Sequence, residues 1–236
     1  MEQASACDHE IIATKRHPEP GSKFIPFDSA NPTRLEIPEG ARVLYSIPFV
    51  EPEVLASFSR PPERIVYLST TGVYGATRDV DENTPPAPDT ESAKQRIDSE
   101  RLIQSAPWSS LILRPAAIYG PDRGIHIAMR TGRFQLAGEG TNYVSRIHVD
   151  DLAAHCLKAL YSDLTGAYPV ADDHPCTSRE IAEYCAKIFN LPMPPSAPPD
   201  RLHETRRADR RVNGKAIRKL LGITLRYPTY REGLSM

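Results

Sequence analysis

The stretch RIVYLSTTGVYG, Arg64 to Gly75, runs an apolar segment into three hydroxyls, Ser69, Thr70 and Thr71, and then into a Val-Tyr-Gly. Hydroxyls at the end of a parallel strand stand where α/β sheets bind their ligands, outside the carboxyl edge, and one of them can hold a reacting oxygen. The same groups can equally satisfy backbone donors of the turn. A second feature is the basic run RRADRR, Arg206 to Arg211. It can contact phosphates or stand as a solvated loop. No aromatic residues interleave with its arginines, so nucleic acid is not an expected partner.

The elements that would position these groups alternate along the chain. EIIATKR (10–16), KFIPFD (23–28), RVLYSIP (42–48), RIVYLS (64–69) and SSLILRPA (109–116) are short runs rich in Ile, Val, Leu and Tyr. They lack strict alternation, as strands covered on both faces do. A helix is expected from Thr90 to Ser105, capped by Thr90, with Pro107 barring its extension. VDDLAAHCLKAL follows a strand-like SRIHV, TSREIAEYCAKIF opens with Thr177 and Glu180 at capping-box spacing, and GKAIRKLLG ends at Gly222. Strands alternating with helices predict a doubly wound, Rossmann-like parallel α/β sheet.

With 236 residues the chain can bury a sizeable core, and a formal net charge of -1 gives no field that selects nucleic acid or an anionic membrane. No run approaches the roughly 20 apolar residues of a membrane span, and MEQASACDHE lacks a signal-peptide pattern, so a cytoplasmic protein is expected. Cys7, Cys156, Cys176 and Cys185 form no C-x-x-C and are read as reduced thiols. The 23 prolines cluster in ENTPPAPDT and LPMPPSAPPD, which mark loops or lobe crossings. The expected organisation is an α/β domain over 1–165 and a small C-terminal α+β lobe over 166–236, with part of 121–145 belonging to the lobe.

Five motifs in order, LSTTGVYG, DENTPPAP, ILRPAAIYGP, SRIHVDDLA and the tail RRVNGKAIRKLLGITLRYPTYREGL, resemble the extended short-chain dehydrogenases/reductases, the nucleotide-sugar epimerases and dehydratases. The resemblance spans nearly the whole chain. It makes Thr70, four residues before Tyr74, the hydroxyl that bonds the substrate oxygen. It makes Asp150 or Asp151 a helix cap, against a metal-binding reading with His148, and Arg211 a candidate for substrate phosphate.

The chain departs from the family pattern twice. The family's acid/base pair is Tyr-x-x-x-Lys on the helix after the proline loop, where the ammonium lowers the phenol's pKa. Counting back from Glu100 places Ser92 and Arg96 there, and a serine hydroxyl is far less acidic than a phenol. The family also opens with a strand, a glycine-rich turn and a helix that hold the cofactor pyrophosphate. No such motif occurs here, so the central first strand is expected to be missing from the sheet. The flanking strands then either close up or, the favoured expectation, the sequence lacks roughly 25–30 upstream residues, the length of one βα unit.

Positions matching a cofactor site remain: Arg16 for a 2′-phosphate, Asp28 for adenine, Ser46, Ile47 and Pro48 along the cofactor, Ser69, and Pro115 and Ala116 at the nicotinamide. NAD or NADP, bound weakly or not at all, is the implied cofactor, with a small-molecule substrate and a possible homodimer. The expected function is an atypical epimerase/dehydratase-like protein acting on a nucleotide sugar or a related carbonyl or hydroxyl metabolite. The alternatives are a non-catalytic cofactor or metabolite sensor, or an inactive fragment.

Overall fold

The structure, a computed structural model, describes residues 10–234; Cys7 lies outside them. The first two strands, β1 (Ala13–Lys15) and β2 (Phe24–Pro26), pair in parallel with each other only. They are followed by β3 (Arg42–Tyr45), the short helix α1 (Pro52–Ala56), β4 (Arg64–Leu68) and β5 (Asp79–Val80). Next come α2 (Glu91–Ser105), β6 (Ser109–Pro115), β7 (Ala117–Tyr119), α3 (Ile125–Arg130), β8 (Leu136–Ala137), β9 (Tyr143–Val144) and β10 (Arg146–His148). The chain then forms α4 (Val149–Leu160), β11 (Gly166–Val170), β12 (Cys176–Thr177), α5 (Ser178–Phe189) and β13 (Ser196–Ala197). It closes with α6 (Glu204–Arg207), β14 (Arg211–Val212), α7 (Lys215–Leu221) and α8 (Tyr230–Leu234).

The main sheet is parallel, four-stranded and ordered β11-β6-β4-β3. Alternate residues of its strands enter two cores, as the period of a pleated strand requires. Val66, Leu111 and Leu113 meet Leu152 and Cys156 of α4 and Ile217 of α7, while Ile65, Tyr67 and Ile112 meet Val54 of α1 and Ile103 of α2. This is the doubly wound arrangement that the alternating runs predict. Among the described residues no strand pairs with both β1 and β3, and the β1-β2 pair forms a sheet separate from the main one. β3 is the end strand of the main sheet among the described residues, and Leu44 on it is exposed. β11 lies beyond the boundary expected at residue 165, yet it is a strand of this sheet through its register with β6.

A smaller core holds the lobe. Tyr119, Met129, Phe134 and Leu136 pack against Ile181 and Cys185 of α5 and Tyr230 and Leu234 of α8. Two short parallel pairs tie it to the sheet. β10 runs beside β7 directly beyond the end of β6, and β14 runs beside β5. Cys156, Cys176 and Cys185 are buried free thiols. The expected caps largely hold: the Thr90 hydroxyl accepts from Ala93 N at 3.2 Å and that of Thr177 from Glu180 N at 3.1 Å. Gly222 ends α7 in the left-handed region with φ 63°. The cap of α4 differs from the expected aspartate. His148 Nδ1 accepts from Asp150 N at 3.2 Å, and Asp151 instead accepts from the Arg226 and Tyr227 amides at 2.8 and 3.0 Å. An imidazole acceptor at the cap frees the carboxylate to hold the distant tail.

Candidate functional site

β4 ends at Leu68, and the next three hydroxyls separate into different environments. Ser69 is buried and donates to Glu100, which also forms a two-pronged ion pair with Arg114, Nε to Oε1 at 3.0 Å and Nη2 to Oε2 at 2.6 Å. Arg114 Nη1 donates further to the Tyr74 hydroxyl at 3.1 Å. The Ser69 hydroxyl thus serves a buried network that pins α2 to the ends of β4 and β6. Thr70 Oγ1 accepts from Gly72 N at 3.1 Å and caps the tight 3-10 turn Thr71–Tyr74. Gly75 completes that turn at φ 54°; a Cβ there would meet Ala87 O at 2.1 Å, so glycine is required for both reasons.

The positions that would carry proton transfer are arranged differently from a phenol and ammonium on one face. Ser92 is exposed on the first turn of α2. Arg96 donates to the Leu68 carbonyl at 3.1 Å and to the Tyr67 hydroxyl at 3.2 Å, and its guanidinium lies over the Phe49 ring. Tyr67 itself donates to Pro48 O at 2.5 Å. Burial pushes the Tyr67 and Tyr74 phenols above their usual range, with Arg96 and Arg114 opposing it. Neither phenol is tuned toward exchanging a proton near neutrality.

The sequence-derived cofactor positions are similarly engaged. Arg16, just past β1, pairs with Asp28 at 2.9 Å, and Asp28 also accepts from Ala30 N at 3.0 Å. Its carboxyl is held below the usual range mainly by that amide, with Arg16 also contributing. Ser46 and Pro48 are exposed and Ile47 half-buried beyond β3, with Pro48 O taken by Tyr67. Pro115 and Ala116 are buried, and the Ala116 amide donates to Val170 O at 2.9 Å. Between β1 and β2 the described residues form no helix, and α1, five residues long, follows β3 without a side-chain cap. No glycine-rich turn opens a helix among the described residues, so these residues alone do not fit a dinucleotide pyrophosphate.

A pocket lies in the smaller lobe. A cavity of about 390 Å³ opens beside β7, between α3 and α5, with Phe134, Ile118, Ile125 and Ile181 among its walls. Arg206 lines it, its guanidinium 4.5 Å from the Phe134 ring centroid and Nη1 buried without a hydrogen-bond partner. His126 lines it too, buried, with Nδ1 unpartnered and Nε2 3.1 Å from Pro121 O. Arg146, on the same wall, donates to Val144 O at 2.8 Å and contacts Cys176 Sγ at 3.0 Å. Arg211 lies elsewhere. It stacks on Tyr143 at 3.7 Å and lines a second hollow of about 380 Å³ with Asp79, Asp172 and Lys215. Sequence reading identified the basic run but not its pocket-facing member. Whether a given arginine of a short helix and turn faces the lobe depends on the neighbouring loops.

A parallel doubly wound sheet with the Thr70 turn at its carboxyl edge, continued by a smaller lobe, is a Rossmann-like fold of the short-chain dehydrogenase/reductase type. The chain belongs to the NAD dependent epimerase/dehydratase family, whose model matches residues 53–170. A conserved protein of unknown function from Silicibacter pomeroyi superposes with a TM-score of 0.76 at 28% identity, over 99% of this chain and 90% of that one. The human epimerase family protein SDR39U1, solved with NADPH, gives 0.74 at 17% identity, over 99% and 92%. A Streptomyces 3-diazoavenalumate denitrifying reductase is 30% identical over 176 residues, 66% of this chain and 58% of that protein. YeeZ of Escherichia coli K12 is 35% identical over 94 residues, 38% of this chain. The chain spans 58%, 39% and 32% of the lengths of three such curated relatives. No helix among the described residues is long and apolar enough to cross a membrane.

Proposed function

We propose that this chain is a metabolite-binding member of the epimerase/dehydratase family that recognises a small molecule in its lobe cavity and does not itself carry the family's usual proton relay. The observation behind this is the contrast between two places. Around Thr70 three of the candidate groups are engaged, Thr70 with Gly72, Ser69 with Glu100, and Arg96 with Leu68 and Tyr67, while Ser92 at the tyrosine position is a poorly acidic, exposed hydroxyl. The cavity, by contrast, is walled by the apolar Ile118, Ile125, Phe134 and Ile181, with Arg206 and His126 among its lining residues. A concave site walled mostly by apolar side chains, with a few polar groups among them, is the usual form of a small-molecule site.

The rival reading is NAD(P)-dependent chemistry on a nucleotide sugar or simple carbonyl. It is supported by Arg16, whose side chain is 55% exposed just past β1, and by relatives solved with NAD or NADPH. In that case Arg16 would meet a 2′-phosphate, and a bound nicotinamide would supply hydride. The name of the Streptomyces reductase supports a small organic molecule as ligand under either reading. An absorbance assay at the nicotinamide band, run with NADH and NADPH against nucleotide sugars and simple carbonyls, separates the two. No turnover is expected; rates of about 1 s⁻¹, ordinary for an enzyme, would establish the rival.

A further inference from the structure

We infer that residues 198–209 are a lid over the lobe cavity, latched shut by the side chain of Asn142; this rests on the metabolite-binding role proposed above. Thr205 and Arg206, on α6, are the part of the cavity wall that this segment supplies. The facing wall is fixed, since Phe134, Ile181 and Leu234 are buried in the core of the lobe. The segment itself has no such anchor. None of its described side chains is buried. Its backbone bonds, Arg201 N to Pro198 O at 3.0 Å, Leu202 N to Pro199 O at 3.1 Å and Arg206 N to His203 O at 2.8 Å, close on residues within it. Segments with few buried contacts open at far lower free energy than a core does.

Its two ends, by contrast, are held. Ahead of it β13 pairs with β8, and behind it the Arg210 amide donates to Tyr143 O at 2.8 Å and β14 pairs with β5. Asp209, at its last position, accepts from Tyr143 N at 2.9 Å and pairs with Arg78 at 2.9 Å. The side chain that reaches α6 and the residue after it is Asn142. Its Nδ2 donates to Arg206 O at 3.2 Å and to Ala208 O at 2.9 Å. Both partners are carbonyls, so the amide must present its nitrogen, and Oδ1 is left buried without a partner. Arg206 acts in both directions. Its guanidinium stacks over Phe134, yet Nη1 is buried there without a hydrogen-bond partner, and burial draws the group below its usual pKa. A desolvated donor regains water when the segment lifts. The latch and the buried cation thus oppose each other, which makes the closed arrangement shallow.

The test compares the full chain with its Asn142→Ala and Arg206→Met variants by two readouts, with folding checked by circular dichroism. One is limited trypsin cleavage after Arg207. The other is modification by diethyl pyrocarbonate of His126, a cavity-lining residue 3% exposed, with the exposed His17 as internal reference. Asn142→Ala should raise both rates roughly ten- to a hundredfold, as loss of two ordinary hydrogen bonds does. Arg206→Met keeps an apolar contact for Phe134 and removes the desolvated charge, so both rates should fall roughly three- to tenfold. A purely structural role would not move the two variants in opposite directions. Where Asn142→Ala fails to fold, Arg206→Met carries the test alone. Unchanged cleavage in a folded Asn142→Ala, or faster cleavage in Arg206→Met, overturns the lid. Faster cleavage with His126 modified no faster overturns its control of the cavity. The metabolite-binding role needs no moving wall and stands under either result.

Discussion

Thr70 occupies the position that a catalytic hydroxyl would hold, yet its oxygen accepts from the Gly72 amide and so fixes the turn. If this is its role, Thr70→Ala should lower stability by about 1 kcal/mol, the usual effect of losing a cap, and shift the urea midpoint accordingly. A midpoint unchanged from the wild type would contradict it. Asp172 makes a second residue-scale prediction. It is buried with Oδ2 unpartnered, and burial pushes its carboxyl up to about 7 against an ordinary 3.8, with His174 N, Arg146 and Arg218 opposing. The folded state therefore holds the proton more tightly than the unfolded chain. Its ionisation weakens the fold as pH rises from about 4 through about 7. Relative to the wild type, Asp172→Asn should gain stability across that window, by at most about 4 kcal/mol at pH 8. Parallel melting-temperature profiles of the two proteins from pH 5 to 8 would contradict this.

At the scale of elements, α2 is held to the sheet by a buried charge pair as well as by apolar packing. Glu100 and Arg114 are 3% and 6% exposed, and Ser69 and Tyr74 complete their hydrogen bonds. Removing one partner leaves the other charge buried, so Glu100→Gln should destabilise by about 3 kcal/mol or more. Replacing both with methionine should recover most of that loss in chemical denaturation. If the single and double variants were equally unstable, the pair's charge would not be what matters. The elements themselves were largely legible in sequence. The runs at 64–69 and 109–116 became β4 and β6 because uninterrupted Ile, Val and Leu suit strands buried on both faces. The helix expected from Thr90 began at its cap because a threonine hydroxyl there meets the Ala93 amide. The runs at 10–16 and 23–28 shrank to three-residue strands, since apolar composition cannot supply the neighbouring strand that would extend their pairing.

Across the whole molecule, motif order pointed correctly to the family. The groups that line the lobe cavity were less legible. Arg206 and His126 owe their character to desolvation and missing partners, which arise only when α3, α5 and the basic run converge around one cavity. Composition carries no trace of that convergence. Conversely Arg16 and Asp28, both matched to cofactor contacts, meet each other at 2.9 Å, and pairing across a loop is not visible in linear order. The molecule thus keeps the parallel sheet of its family, while residues 10–234 assemble neither a pyrophosphate cradle nor a tyrosine-lysine pair. Titration of this chain with NADPH, followed by nicotinamide fluorescence and calorimetry, tests that directly. The expected dissociation constant is weaker than about 1 mM, since the phosphates find no backbone nest; saturable binding near about 10 μM or tighter would contradict it.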